Sequence, residues 1–214
     1  MIGIGYDIGS SFIKAALVEV QTGNSIARAR VPEVEMTMES QQAGWAEQDP
    51  NIWWEYLCKV TQKLLAEAQI KADQISSVGI SYQMHGLVLV DRDLNPIRKS
   101  IIWCDSRATF YGERAFKTLG KTFCKDHLLN SPGNFTASKL AWVIENEPEL
   151  YYKAYKLMLP GDFLAAKLSG VAQTTITGLS EGIFWDFKSD HPSSDLFEHY
   201  QINQSLVPEI VENF

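Results

Sequence analysis

The first thirty residues alternate between apolar and polar stretches in a way that predicts three β-strands. Residues 2–7 form an apolar run that ends at Asp7, and a second apolar run covers residues 12–20. The sequence Gln-Thr-Gly-Asn at 21–24 is typical of a hairpin turn, so residues 25–31 are predicted to return as a third strand. The chain therefore opens with a predicted three-stranded meander.

The second strand is apolar on both of its faces. Because side chains alternate along a strand, Ile13, Ala15 and Leu17 share one face. Ala16 and Val18 lie on the other face. This pattern predicts a strand that is buried on both sides.

The first helix is marked by an Asp that is followed by Pro. Asp49 can accept a hydrogen bond from the N–H groups of the first turn, and Pro50 fits the first helical position. One apolar stripe at helical spacing follows, made of Trp53, Leu57, Val60, Leu64 and Ala68. The preceding residues 32–48 have no clear period and are predicted to form a loop.

The remaining pattern mixes strands with helices. Strands are predicted over residues 74–81, 87–90, 100–103 and 156–159, and helices over 107–119, from an N-cap at Thr136, and over 160–168 with Gly170 as C-cap. A meander followed by a helix and a returning strand is not the βαβ start of a dinucleotide-binding fold. It is the topology of one half of an actin-like, ribonuclease H-like ATPase. The predicted fold class is therefore α/β, with a mixed β-sheet flanked by helices.

Composition narrows the classes of function. Of the 214 residues, 45% are hydrophobic and 21% charged, as in a globular protein rather than a disordered chain or a coiled coil. The net charge of −7 disfavours binding to a nucleic-acid backbone. Three cysteines without CxxC spacing indicate neither a disulfide framework nor a zinc site. Since no run approaches the roughly 20 apolar residues of a membrane span, we expect a soluble cytoplasmic protein without a membrane partner.

The turn after the first strand carries candidate phosphate-binding chemistry. Gly9 permits a tight turn and a close approach of the backbone to a ligand. The N–H groups and hydroxyls of Ser10 and Ser11 can hold phosphate oxygens. Asp7 can hold a magnesium ion through water, because that ion gives up its water reluctantly. The alternative is an ordinary polar hairpin turn.

A second candidate site interrupts an apolar, strand-like stretch. A polar Gln-His pair is costly there unless it has partners. Gln83, Met84, His85 and Gly86 can line a polar pocket, with His85 donating to a ligand hydroxyl and Met84 packing against a carbon face. The alternative is a core histidine that is satisfied by protein hydrogen bonds.

A tryptophan and a carboxylate follow a later predicted strand. This pair suits a sugar, because the ring of Trp103 can cover a C–H face while Asp105 accepts hydroxyl hydrogen bonds. The alternative is that Asp105 caps a helix that contains Arg107, and both can hold together. Trp45 and Glu47 lie in the loop before the first helix and have no predicted structural task.

Several other catalytic devices have no match in the sequence. There is no GxxxxGK[ST] phosphate loop and no G-x-S-x-G nucleophile elbow. His127, His191 and His199 have no partner at metal-ligand spacing, so surface or structural roles are predicted for them. A bound nucleotide must therefore be held by another device.

Taken together, these motifs resemble the N-terminal domain of the FGGY family of carbohydrate kinases and, within it, the xylulose kinases. The matching segments follow in the family's order: GYDIGSS at 5–11, WAEQDP at 45–50, QMHG at 83–86, IWCDSR at 102–107, GNFTASK at 133–139, LPGDF at 159–163 and GIFWD at 182–186. Each segment alone is weak, whereas the ordered series is specific. QMHG together with W-x-EQDP favours a pentulose kinase over a glycerol kinase.

The resemblance implies transfer of the γ-phosphoryl group of ATP to a hydroxyl of a ketopentose, with D-xylulose as the first expectation and D-xylulose 5-phosphate as its product. It places Asp7 at the Mg²⁺–ATP phosphates, with Gly9, Ser10 and Ser11 around them. ATP and Mg²⁺ are thus the expected cofactors.

For the sugar, the resemblance implies contacts from Met84 and His85. Gln83 belongs to the same segment, and Trp103 and Asp105 are expected to border the same pocket. A homodimer is left open.

The sequence also departs from the family's pattern. The family's general base, an Asp in a Gly-Gly-x-Asp-Asn/Gln-like segment, is missing here and is expected beyond Phe214. Residues 1–214 are therefore interpreted as a slightly truncated N-terminal, sugar-binding domain without the C-terminal ATP-binding domain, inactive by itself. Ser10-Ser11 stands where Thr-Ser or Thr-Thr is common, and Cys104 where Asn is frequent.

Two alternatives stay open at this point. One is another kinase of the same family, for ribulose, gluconate, fuculose or a related sugar. The other is a non-catalytic, actin-like sugar-sensing domain.

Overall fold

The computed structural model describes residues 1–213. The strands are β1 (Ile2–Ile8), β2 (Ile13–Glu19), β3 (Ser25–Val31), β4 (Glu47–Gln48), β5 (Ile75–Tyr82), β6 (Val88–Val90), β7 (Ser100–Ile101), β8 (Lys156–Met158), β9 (Gln173–Thr175), β10 (Trp185–Asp186), β11 (His191–Pro192) and β12 (Glu209–Val211). The helices are α1 (Pro50–Ala68), α2 (Thr109–Leu119), α3 (Lys121–Phe123), α4 (Thr136–Asn146), α5 (Pro148–Lys153), α6 (Pro160–Ser169), α7 (Ile176–Glu181) and α8 (Ser194–Tyr200). In this part of the chain, no helix has the length and apolar character that crossing a membrane requires.

The main sheet has four strands in the order β3-β2-β1-β5. β1, β2 and β3 are antiparallel neighbours, whereas β1 and β5 run parallel. This arrangement confirms the predicted meander, helix and returning strand. Because β1 and β5 are parallel, the residues that follow Ile8 and Tyr82 meet at the same edge of the sheet.

Helix α1 covers one face of this sheet. The carboxylate of Asp49 accepts the N–H of Asn51 at 2.9 Å, and Pro50 is the first helical residue, so the predicted start is confirmed. The predicted apolar stripe faces the sheet, and its buried members are Trp53, Leu57, Val60 and Leu64. Helix α6 packs beside α1 and completes this first core.

The opposite face of the sheet is open. Ala16 and Val18 are only half-buried, so the predicted burial of β2 on both sides is wrong. Gly5 lies in register between Ala16 of β2 and Gly79 of β5. At this position, three neighbouring strands carry no side chain larger than a methyl group. The space in front of Gly5 and Gly79 is empty of protein atoms. A shallow cavity of about 550 Å³ lies on this face.

The second half of the chain forms another core around α2, α4 and α8. Some predicted boundaries shift here. The strand predicted over 100–103 ends at Ile101, so Trp103 lies in a turn, and α2 begins at Thr109. Phe135 rather than Thr136 is the N-cap residue of α4, because Thr136 is already helical and its hydroxyl is directed at the carbonyl of Gly86.

Candidate functional site

The turn between β1 and β2 presents free backbone N–H groups. The N–H of Gly9 donates to the carbonyl of Phe12 at 3.0 Å, and a Cβ at Gly9 would crowd that same oxygen. The side-chain amide of Gln48 donates to the carbonyl of Ser10 at 2.6 Å and fixes the turn. The N–H groups of Ser10 and Ser11 find no acceptor within residues 1–213. The turn can therefore bind an anion.

Asp7 lies beside this turn on the open face of the sheet. Its half-exposed carboxylate is 3.0 Å from the ammonium group of Lys14. Both residues line the 550 Å³ cavity together with Arg28 and Arg30. Three cationic side chains and one carboxylate line this cavity, and the excess of positive charge favours an anionic ligand there. No group of three metal-ligating side chains occurs among the described residues.

The segment that follows β5 contacts the same turn. The backbone N–H of Gln83 donates to the carbonyl of Ile8 at 2.8 Å, and its side-chain amide lies 3.4 Å from the amide oxygen of Gln48. The indole N–H of Trp103 donates to the hydroxyl of Ser10 at 3.3 Å. The structure thus brings together Ser10, Gln83 and Trp103, each of which belongs to a different candidate motif of the sequence.

Two apolar side chains stand exposed next to these polar groups. Met84 is 55% exposed and Trp103 is 49% exposed. The ring of His85 is more enclosed and lies edge-on to Phe135 at 4.1 Å between centroids. Exposed carbon faces beside hydrogen-bonding groups are what a sugar needs.

Sequence reasoning missed the two residues that hold His85. The carboxylate of Glu181 lies 2.6 Å from the ring Nδ1 and 2.5 Å from the backbone nitrogen of His85. The ammonium group of Lys139 donates to the carbonyls of His85 at 2.6 Å and Ile102 at 3.0 Å. Burial lowers the pKa of Lys139 to about 8, against the opposing effects of Asp105 and Glu181. The available signal was position alone, since Lys139 closes one family-like segment and Glu181 directly precedes another.

Asp105 does not face an open pocket, contrary to the expectation that it borders the sugar. Its carboxylate is fully buried and accepts the guanidinium of Arg107 at 2.7 Å and the N–H of Ala46 at 2.6 Å. Both oxygens are therefore engaged by protein donors. The carboxylate also accepts the backbone N–H of Arg107, although α2 begins only at Thr109. Asp105 fixes the turn that carries Trp103.

Trp45 and Glu47 belong to the same buried network, so the view that they lack a structural task is wrong. A carboxylate oxygen of Glu47 lies 2.7 Å from Arg107 and 2.8 Å from Arg98. The ring of Trp45 covers the guanidinium of Arg107 at 3.8 Å, and Trp142 lies on it at 4.8 Å. This network ties the loop before α1 to the turn before α2.

The predicted structural role of one further histidine is confirmed. His127 lies 2.9 Å from the carboxylate of Asp186 and stacks on the ring of Phe123. This cluster packs α3 and the residues after it against β10.

The order of strands in the sheet and the helices that flank it define an α/β domain of the actin-like, ribonuclease H-like ATPase fold, as predicted. The sequence profile described as "FGGY family of carbohydrate kinases, N-terminal domain" matches residues 2–213. The chain belongs to this family.

Individual relatives agree with this assignment. The xylulose kinase of Bacillus subtilis is 31% identical over 217 residues, which cover 98% of this chain and 41% of the relative. The xylulose kinase of Staphylococcus xylosus is 31% identical over 209 residues, covering 97% and 42%. The solved xyloylose kinase of Brucella ovis superposes with a TM-score of 0.89 at 27% identity, covering 99% of this chain and 43% of that one. The chain thus spans about two fifths of the length of these relatives.

Proposed function

We propose that residues 1–214 form the N-terminal, sugar-binding domain of an ATP-dependent kinase that phosphorylates a ketopentose, with D-xylulose as the first substrate to test. The observation that carries the proposal is the contact between the two candidate sites. The first is the turn after β1, and the second is the group of segments that carry Gln83 and Trp103. Trp103 donates to Ser10, and Gln83 donates to the last residue of β1. A sugar on the second site would therefore lie next to phosphates on the first, as in-line transfer requires.

On the phosphate side, the N–H groups of Ser10 and Ser11 hold phosphate oxygens, and Lys14 adds positive charge. Asp7 fits a magnesium ion held through water, because its carboxylate is half-exposed and adjoins free N–H groups, while residues 1–213 contain no group of three metal-ligating side chains that would hold the ion directly. Bound Mg²⁺ would neutralise charge on the transferring phosphoryl group.

On the sugar side, Met84 and Trp103 cover carbon faces, while Gln83 and His85 meet hydroxyls. These side chains orient the sugar and exclude water from one of its faces. Asp105 contributes to sugar binding without contacting the sugar, because it holds the turn that carries Trp103.

The general base expected beyond Phe214 lies outside the described residues. General-base catalysis contributes about 10²–10⁴-fold. We therefore expect this chain to bind sugar but to show little or no phosphoryl transfer by itself. D-xylulose phosphorylation by the purified chain at ordinary enzyme rates would contradict this expectation.

The first test is sugar binding by the 214-residue chain, measured through tryptophan fluorescence. D-xylulose is expected to give a saturable change, because Trp103 is half-exposed at the site. Trp103→Phe should remove most of this change, whereas Trp54→Phe, a half-buried control on α1 next to Lys167 of α6, should keep it. No saturable change with D-xylulose, ribulose, gluconate, fuculose or glycerol would refute the sugar site.

The second test is activity of the protein that includes the segment beyond Phe214. ADP release is measured with the same sugars, and a ketopentose is expected to give the highest rate. If no ketopentose exceeds background while another sugar does, the substrate assignment is wrong. Saturable sugar binding with no ADP release would instead identify a sugar-sensing domain.

A further inference from the structure

His85 has a backbone conformation that is uncommon for residues other than glycine. Its φ of +59° lies in the left-handed region, where a side chain other than glycine is disfavoured. Its immediate neighbour Gly86 is the smaller residue, yet the turn places the left-handed geometry on the histidine. A conformation of this kind persists only where surrounding contacts impose it.

Those contacts hydrogen-bond both backbone groups of His85 and place a carboxylate oxygen close to its ring. Oε1 of Glu181 lies close to both the backbone nitrogen and Nδ1, and Lys139 donates to the carbonyl. Glu181 ends α7 and Lys139 lies in α4, so both come from the second half of the chain. Two elements distant in sequence thus define the position of one residue.

The carboxylate of Glu181 and the ring of His85 also lie in contact without an aligned hydrogen bond between them. Nδ1 of His85 and Oε2 of Glu181 are both buried, and neither has an aligned hydrogen-bond partner within residues 1–213. An N–H bond at Nδ1 would not point at Oε1 of Glu181 despite the short distance, so the contact is electrostatic rather than a well-aligned hydrogen bond. At 2.6 Å an unprotonated Nδ1 would set its lone pair against a carboxylate oxygen, which only accepts, so this contact favours the form with hydrogen on Nδ1.

We propose that Glu181 is a positioning residue of the sugar site, which fixes His85 in the tautomer with hydrogen on Nδ1. A neutral imidazole carries one N–H, so Nε2 is then an acceptor. His85 would accept a hydrogen bond from a sugar hydroxyl, the reverse of the donor role that the sequence predicts. This inference rests on the proposed sugar-contacting function of His85.

Lys139 supports the same arrangement from the other side of the peptide. Its second bond, to the carbonyl of Ile102, connects the segment of His85 with the turn of Trp103. The buried ammonium group of Lys139 thus adds to the backbone hydrogen bond from Leu87 to Ile101, which also joins the two segments. Glu181 positions the ring, whereas Lys139 helps to hold the two segments together.

The first experiment needs no substitution of Glu181. The imidazole ¹⁵N shifts of the 214-residue chain are measured at pH 8.5, and the His85 signals are assigned by their loss in His85→Asn. We expect a protonated-type shift for Nδ1 and an unprotonated-type shift for Nε2. The opposite assignment would overturn the proposal.

The second experiment compares sugar affinity among variants. Glu181→Ala is expected to raise the Kd for D-xylulose about tenfold, the loss expected for a hydrogen bond to a charged group, and to abolish the Nδ1–H preference. Glu181→Gln keeps an acceptor oxygen at the same reach and should remain within about threefold of wild type. Glu198→Ala, an exposed glutamate on α8, serves as the matched control and should change neither readout.

The two proposals fail separately. If the wild-type chain binds no sugar, the proposed function falls, while the ¹⁵N shifts still test the role of Glu181. If wild type binds sugar and Glu181→Ala keeps both its Kd and its tautomer, only the role of Glu181 is refuted. Should Glu181→Ala fail to fold, wild type and Glu181→Gln decide between these outcomes through the ¹⁵N shifts.

Discussion

Gly112 allows helix α2 to touch a neighbouring loop through backbone atoms alone. A Cβ built on Gly112 would lie 1.7 Å from the carbonyl oxygen of Gly133. That distance is far inside any van der Waals contact, and the obstacle is backbone rather than a flexible side chain. Any side chain larger than hydrogen at position 112 would therefore clash with this backbone. Nothing in the apolar pattern of α2 distinguishes this residue.

The prediction at this scale is that Gly112→Ala destabilises the chain by roughly 2–3 kcal/mol or more, the cost of overpacking a rigid contact. Gly79→Ala is the matched control, since its Cβ would enter open space on the uncovered face of the sheet. It should be neutral or slightly stabilising. Urea denaturation compares the two, and equal losses would contradict the contact-based argument.

At the scale of elements, the buried network of Arg107 reinforces the junction between two segments that also pair through the short strands β4 and β7. Glu47 lies in β4, and Asp105 lies in the turn before α2, so the guanidinium bridges segments about sixty residues apart. Its fork contacts both carboxylates at once, which the single ammonium of a lysine does not reproduce. The Trp45 ring further shields it from water.

Arg107→Lys is therefore expected to destabilise the chain even though the charge is kept. Arg107→Ala should cost about 3–5 kcal/mol, because the buried carboxylate of Asp105 loses its guanidinium partner and that of Glu47 loses one of two. Arg92→Lys, at an exposed turn, is the control for the exchange itself. Thermal unfolding followed by circular dichroism measures the difference, and a wild-type melting temperature for Arg107→Lys would refute the importance of the fork.

The elements that the sequence predicts well are those with local signals. Helix α1 begins at Asp49-Pro50 because the cap and the proline act within one turn. The burial of β2 was predicted wrongly because apolar residues such as Ala16 and Val18 do not indicate whether another element covers their face of the strand. The bond from Ala46 to Asp105 and the contact of Glu181 with His85 were missed for a different reason. These partners lie 59 and 96 residues apart, and no local period encodes such contacts.

At the scale of the whole molecule, the buried charge of Lys139 affects the pH dependence of unfolding. In the folded chain its pKa is lowered to about 8 by burial, whereas the unfolded chain keeps the ordinary value near 10.5. Between these values the unfolded state binds more protons, so this residue makes the folded state more stable as pH rises. Below about pH 8 the ammonium is charged in both states, and its burial is a standing cost.

Lys139→Met removes this titration. From pH 7 to pH 10, wild type is therefore expected to gain roughly 2–3 kcal/mol of unfolding free energy relative to Lys139→Met. The comparison cancels the tyrosines that titrate in the same range. Lys117→Met, at an exposed position on α2, is the control and should follow wild type. Urea denaturation at both pH values measures this difference, and parallel pH profiles for wild type and Lys139→Met would contradict the prediction.

The parallel pairing of β1 with β5 also affects how the chain folds during synthesis, because the two strands are synthesised at different times. The meander is complete at Val31, but the strand that pairs with β1 ends at Tyr82, about fifty residues later. At a synthesis rate of about 5–20 residues per second, one edge of β1 waits roughly 3–10 s for its neighbour on the growing chain. During that interval the nascent meander exposes the backbone of a future central strand. Chaperone contact or slow association between nascent chains is expected at this step of biogenesis.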